Sequence, residues 1–399
     1  MKLTHVVLGA AAAALLSSAA LAEEMTIVSW GGAYSASQDK AYNQPYMKLN
    51  PGVSIINDTS SNEAVAKLRA MDEAGNVTWD VVDVVASDAM RLCDEGLAMV
   101  IDPDTMLAPA DNVGAMRAIL DGIDLQTIGL AETMNTLATL KSLTAPMSAR
   151  EDFGDLLVSE CYIPTIVYST TFGYRTDVAA WGGREPDDIC DIFDLENFPG
   201  KRSLEKRPIN NVEWALMCDG VAPDDIYDVL STPEGVDQAL AKLATIRDNV
   251  VWWSAGAETP QRLADGEVVL GSTYNGRLFA LIEEQKQPVK MLWDWQVFDL
   301  DGYIIPTGLS DERKARALDF IYFASDTQRL ADQAKYISYG PARKSSGPLV
   351  GKHATLGIDM APHMPTNPVN AVHTLLYNFE FWADNRDDID AKFQAWLVK

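Results

Sequence analysis

The sequence predicts an α/β protein of two domains, each a mixed, mainly parallel sheet flanked by helices. Three observations carry that expectation. The chain has 399 residues, 47% of them hydrophobic and 22% charged, an ordinary globular balance with length for two cores at ~100–200 residues per domain. Short β-type runs alternate with amphipathic helical stretches, which implies a doubly wound sheet. No internal repeat or low-complexity segment breaks the alternation beyond the apolar leader.

Taken in order, residues 25–30 form a β-type run stopped by Gly31-Gly32. A helical stretch follows from Tyr34, interrupted by Pro45, to Asn50-Pro51-Gly52, and residues 53–57 read as a second strand. Ser60 and Glu63 stand at capping-box spacing and open a helix with Val65, Leu68 and Met71 inward. Residues 79–85 are a third strand, and Ser87-Asp88 begins a helix closed by Gly96. The pattern resumes with strands at 163–168, 250–253 and 268–273 and helices at 236–247, 259–264 and 311–325, while 181–207 reads as loop-rich. Residues 344–368 form a polar, Pro- and Gly-rich surface connection to a helical tail ending Phe393, Trp396, Leu397.

The start of the chain addresses it. Lys2 and His5 precede an apolar run over 6–20, and Ala20-Leu21-Ala22 supplies the small residues that signal peptidase reads, so residues 1–22 are expected to be a cleaved signal peptide. No later segment reaches the ~18 uninterrupted apolar residues of a membrane span, and no Cys follows the cleavage point to carry a lipid. The expected location is the periplasm. There Cys93, Cys161, Cys190 and Cys218 read as disulfides, since no C-x-x-C or nearby His makes a zinc site. Sequence alone does not choose among the three pairings; Cys93–Cys161 with Cys190–Cys218 keeps each pair within one half of the fold.

Much chemistry is excluded. A net charge of −25 without a basic cluster argues against nucleic acid and anionic membranes. Neither a phosphate-cradling glycine loop nor a G-x-S-x-G elbow occurs. Beyond the leader the histidines are His353, His363 and His373, all near the end and read as loop or surface residues rather than metal ligands. No metal or cofactor is expected, and an exported enzyme is the distant alternative. What remains is aromatic: Trp30, Tyr34, Trp253 and Tyr274 stand where strands end, the ligand edge of an open α/β sheet. Ring faces there attract organic cations; Trp252 and Trp293 read as core.

Several segments together resemble one family. They are Ser29-Trp30-Gly31-Gly32-Ala33-Tyr34, Trp79-Asp80-Val81-Val82-Asp83-Val84 with Ser87-Asp88, and Cys161-Tyr162-Ile163-Pro164-Thr165. Phe198-Pro199-Gly200-Lys201-Arg202, Val251-Trp252-Trp253-Ser254-Ala255-Gly256, Tyr274-Asn275-Gly276-Arg277 and Phe379-Glu380-Phe381-Trp382-Ala383-Asp384-Asn385 continue the set. In this order they resemble the spermidine/putrescine-binding family of periplasmic solute-binding proteins that serve ABC importers, over nearly the whole mature chain.

The resemblance implies a two-lobed type II periplasmic-binding-protein fold with a hinge of crossing strands, placed near 166–172, 270–274 and 298–304. It places 23–166 with 274–299 in the first lobe and 170–270 with 303–345 in the second, leaving 346–399 as a tail packed back on the lobes. It implies a monomer that hands a small solute to an inner-membrane permease, without catalysis. Implied ligand residues are Trp30, Tyr34, Ser87, Asp88, Trp253, Tyr274 and Asp299, aromatics for a methylene chain and carboxylates for amines. The sequence departs from that pattern at Arg207, which falls where a carboxylate is expected, with Glu205 and Glu213 off register, and at Arg277. Arginine suits a carboxylate and not a polycation. The resemblance makes a polyamine the main expectation; the arginines supply the alternative, a zwitterion with a cationic end among aromatics and a carboxylate on Arg, such as γ-aminobutyrate (GABA), a betaine or dimethylsulfoniopropionate.

Overall fold

The computed structural model of the chain describes residues 23–111 and 147–398; the signal-peptide expectation for 1–22 lies outside them. The strands are β1 (Glu23–Val28), β2 (Val53–Asp58), β3 (Val81–Val85), β4 (Ile163–Arg175), β5 (Arg202–Glu205), β6 (Val250–Trp253), β7 (Leu270–Tyr274), β8 (Val289–Ile304), β9 (Gly340–Pro341) and β10 (Thr374–Leu376). They join in the order β2-β1-β3-β8-β4-β7-β5-β6, with β10 added to β8 and β9 to β4. β2, β1 and β3 are mutually parallel, as are β6, β5 and β7. Two parallel half-sheets with helices on their faces are thus present, as the alternation predicts.

The antiparallel centre joins them. β4 and β8 pair from Ile163↔Tyr303 to Arg175↔Val289, with register shifts near Pro164 and Thr170. At ~3.3 Å per residue, the 13 residues of β4 reach roughly 43 Å. One end of the ribbon meets β3 through Val82↔Ile304 and Val85↔Asp301, and the other meets β7 through Thr170↔Tyr274 and Tyr174↔Leu270. Each long strand therefore belongs to both lobes.

Two expectations are corrected by this packing. β7 does not cross between lobes, because it pairs only with the far half of β4 and with β5. The chain then stays in the second lobe: Leu278, Leu281 and Val289 share a core with Leu263 and Val268. The helix Asp311–Ala324 belongs instead to the first lobe, where Phe320 and Ile321 pack with Met25, Ile27 and Val81. The expected placement of 274–299 and 303–345 is reversed, since β8 returns the chain to the first lobe rather than leaving it.

Both disulfides take the expected arrangement, Cys93–Cys161 and Cys190–Cys218. The tail forms the helix Phe379–Leu397, which touches both lobes. It meets the first through Arg386–Asp88 and Arg91–Asp387, and the second through Trp382–Glu213 and Lys392–Asp237. Among the described residues no helix is long and apolar enough to cross a membrane.

Candidate functional site

A cavity of about 630 Å³ lies across the β4–β8 ribbon, between the lobes. Its first-lobe wall begins where β1 ends. Gly31 (φ 74°) and Gly32 (φ 58°) take left-handed conformations that turn the chain sharply into the helix Gly32–Gln38. That turn leaves Trp30 and Tyr34 facing β3. The Trp30 indole N–H donates to Asp83 Oδ1 (3.2 Å), the Tyr34 hydroxyl to Asp83 Oδ2 (2.9 Å), and the Gln38 amide to the same oxygen.

The floor comes from the ribbon. The Tyr168 hydroxyl donates to Asp299 Oδ2 (2.7 Å), and the Leu300 N–H to Asp299 Oδ1 (2.7 Å). Burial nonetheless pushes Asp299 up to about 6, against these hydrogen bonds. Rings line this floor in sequence: Tyr34 and Tyr339 at 5.8 Å, Tyr339 and Tyr168 at 5.9 Å, Tyr168 and Tyr274 at 5.6 Å.

The second-lobe wall carries the arginines. Arg207 pairs with buried Glu205 at the end of β5 and leaves 43% of its side chain open. Burial raises Glu205, but the Coulombic pull of that carboxylate raises Arg207 further, so the guanidinium stays cationic. Arg277 lies over the Tyr274 ring, 5.8 Å from its centroid. A Cβ placed on Gly32 would stand 3.5 Å from Arg277 Nη1, so this second-lobe side chain reaches the first-lobe turn. Gly256 makes room for it: a Cβ there would come within 2.7 Å of the Tyr274 ring and 2.9 Å of Arg277 Nε. Arg277 Nε is buried with no hydrogen-bond partner, and among the described residues no carboxylate reaches ion-pair distance of the guanidinium.

Of the residues expected from sequence, Trp30, Tyr34, Asp88, Arg207, Tyr274, Arg277 and Asp299 border the cavity. Two do not. Ser87 is fully buried and accepts from Arg386 (3.3 Å), while Trp253 is 1% exposed and stands behind Tyr274, ring centroids 6.0 Å apart. Asp88 borders the cavity with its charge already met by Arg386. Sequence reasoning missed Tyr168, Glu205, Asp301, Tyr339, Tyr377 and Arg386 in the lining. For Arg386 a signal existed, because it directly follows the tail segment through Asn385.

Two lobes on a shared ribbon, enclosing a cavity lined by aromatic rings, carboxylates and arginines, have the architecture of a small-solute receptor. The chain belongs to the bacterial extracellular solute-binding proteins, whose sequence signature spans residues 41–366. It is 33% identical to the gamma-aminobutyric acid-binding protein of Pseudomonas aeruginosa over 382 residues, 95% of this chain and 92% of that one. The structure of a GABA receptor is 27% identical, with a TM-score of 0.70 over 94% of this chain and 98% of that one. A periplasmic binding protein from A. tumefaciens B6 in complex with glucopine shares the fold at 24% identity and TM-score 0.74, covering 94% and 99%. The spermidine/putrescine protein of Streptococcus pneumoniae shares it at 14% identity and TM-score 0.62, covering the same fractions. Membership in this family makes the protein a binder rather than an enzyme.

Proposed function

We propose that the protein is the periplasmic receptor of an ABC importer for a short amino acid whose ammonium and carboxylate lie at opposite ends, of the GABA type. The observation that carries this reading is Arg277, a guanidinium in the cavity wall with no carboxylate partner among the described residues. A fork of N–H donors held over a ring suits a ligand carboxylate. The opposite wall offers Asp299 and Asp301 to the ammonium. Tyr274 stands level with Thr170, and Asp299 with Tyr168, two residues along β4. At ~3.3 Å per residue that is roughly 7 Å, a span suited to a four-carbon chain. The 33%-identical GABA-binding relative supports the same reading. A polyamine fits less well, because Asp88 and Glu205 are already neutralised by Arg386 and Arg207.

In this role residues 1–22 direct export, and the lobes close over the solute about the β4–β8 ribbon to present a closed monomer to the permease. A thermal-shift screen tests it, with GABA, putrescine, spermidine, glycine betaine and dimethylsulfoniopropionate as the panel. GABA is expected to stabilise the protein by about 2.7 kcal/mol at a hundredfold excess over Kd. A shift with the di- and polyamines alone overturns the reading.

Tyr274 supplies a second check. Tyr274→Ala is expected to weaken GABA binding by about 1–3 kcal/mol, through lost burial and the ring that carries Arg277. Calorimetric titration gives the number. Wild-type affinity in the variant would place the solute elsewhere.

A further inference from the structure

Three carboxylates gather at the first-lobe side of the cavity, Asp299 and Asp301 in its lining and Asp83 behind it, with no counter-cation among the described residues. Asp299 and Asp301, two residues apart on β8, share one face of the sheet. Asp83 sits diagonally across, since Asp83 pairs with Tyr303 and Val85 with Asp301. They are 9%, 7% and 0% exposed. Among the described residues no Lys, Arg or His reaches ion-pair distance of any of them.

Their hydrogen bonds are unequal. Asp83 accepts from Trp30, Tyr34 and Gln38, and Asp299 from Tyr168 and Leu300. Asp301 borders the cavity, and its Oδ1 is buried with no hydrogen-bond partner. Buried like charges at this spacing do not all ionise, because each adds Coulombic repulsion to the cost of desolvation.

We propose that this cluster holds a proton on Asp301 before solute enters and releases it to solvent when the ligand's ammonium seats against the Asp299–Asp301 pair, so that capture is linked to pH. The inference rests on the reading that the solute carries an ammonium group. The Asp301 carboxyl O–H bond breaks and its proton forms a new O–H bond on water, while the ammonium keeps its own protons and donates hydrogen bonds to the ionised Asp299–Asp301 pair. A quaternary ammonium has no N–H to donate and leaves the pair without those hydrogen bonds.

The surroundings point the same way. Burial raises Asp301 well above the usual carboxylate range, with Asp83 and Asp299 adding repulsion and the Trp30 indole N–H opposing it. Burial also raises Asp83. From the packed elements, Tyr34, Tyr162, Tyr168 and Tyr303 present phenols that stay neutral. Asp88 faces the cluster already paired with Arg386, while Arg277 and Tyr339 stand on the other wall. An arriving cation favours the ionised cluster, so affinity rises with pH until the cluster is deprotonated without help.

Titration calorimetry of GABA into the protein at pH 7, in two buffers of different protonation enthalpy, counts the protons. Close to one proton released per solute is expected. Affinity should rise up to about tenfold per pH unit between pH 6 and 8, where amino and carboxyl groups of the solute, at ~10 and ~4, do not titrate. GABA binding with the same apparent heat in both buffers overturns the linkage and leaves the solute reading intact. Putrescine binding with proton release, and no GABA binding, overturns the solute reading and keeps the linkage; failure of both ligands overturns both. Asp301→Asn should bind with no proton release and a flat pH profile, and continued release in that variant overturns the role given to Asp301. Should it fail to fold, the same measurement on Asp83→Asn is expected to show a reduced proton count.

Discussion

Arg277→Ala should lower GABA affinity by at least about 100-fold while leaving putrescine binding unchanged or stronger. The size follows from what the residue lacks within the protein. Its guanidinium rests on the Tyr274 ring, its Nε has no partner, and no carboxylate among the described residues reaches it. A ligand carboxylate therefore meets a cation that no internal ion pair has to release. Each charge-assisted hydrogen bond contributes about 1.5–3 kcal/mol, so losing a bidentate pair readily reaches the ~2.7 kcal/mol of a 100-fold change. For putrescine the sign reverses, because removal of Arg277 relieves repulsion against a second ammonium. Arg277→Lys is expected to fall between, a point charge without the planar fork. Calorimetric titration of both ligands against both variants checks it. Equal loss for GABA and putrescine would mean that Arg277 only supports the wall.

Local patterns carried much of this far. Strand and helix alternation was legible because apolar runs such as Val81–Val85 and amphipathic stretches such as Asp311–Ala324 announce themselves residue by residue. Partner choice was not legible. Nothing within Leu270–Tyr274 says that it ends against β4 instead of crossing, since that depends on strands far along the chain. β5 was hidden for a different reason. Its Arg202 reads as a surface charge, yet it is fully buried and donates to the carbonyls of Ile192, Asp194, Phe198 and Gly200. In the site, aromatics at strand ends pointed to Trp30, Tyr34 and Tyr274. Trp253 was indistinguishable from them in sequence, because one step along a strand decides whether a ring faces ligand or core. The pairing of Asp88 with Arg386 spans almost 300 positions, and no local spacing encodes it.

The tail helix makes a different kind of prediction, in which stability and binding fall together. Trp382 is fully buried, its indole N–H donates to Glu213 Oε1 (2.8 Å), and its ring stacks on Tyr377 with centroids 6.2 Å apart. Trp382→Ala should cost about 3–5 kcal/mol in denaturant unfolding. Because Tyr377 and Arg386 both border the cavity, GABA affinity should drop in the folded fraction as well. Trp382→Phe separates the ring from the hydrogen bond. Burial already pushes Glu213 up to about 7, with the Trp382 N–H among the groups opposing it. A raised carboxylate contributes stability that is complete below its unfolded value of ~4.5 and is lost as pH rises through the folded one. Without the indole donor the folded value climbs further, so the loss continues to higher pH. The deficit of Trp382→Phe against wild type should therefore be small near pH 5 and grow above pH 7. A deficit independent of pH would remove Glu213 from this account. Full GABA affinity in a destabilised Trp382→Ala would show that the tail braces the lobes without shaping the cavity.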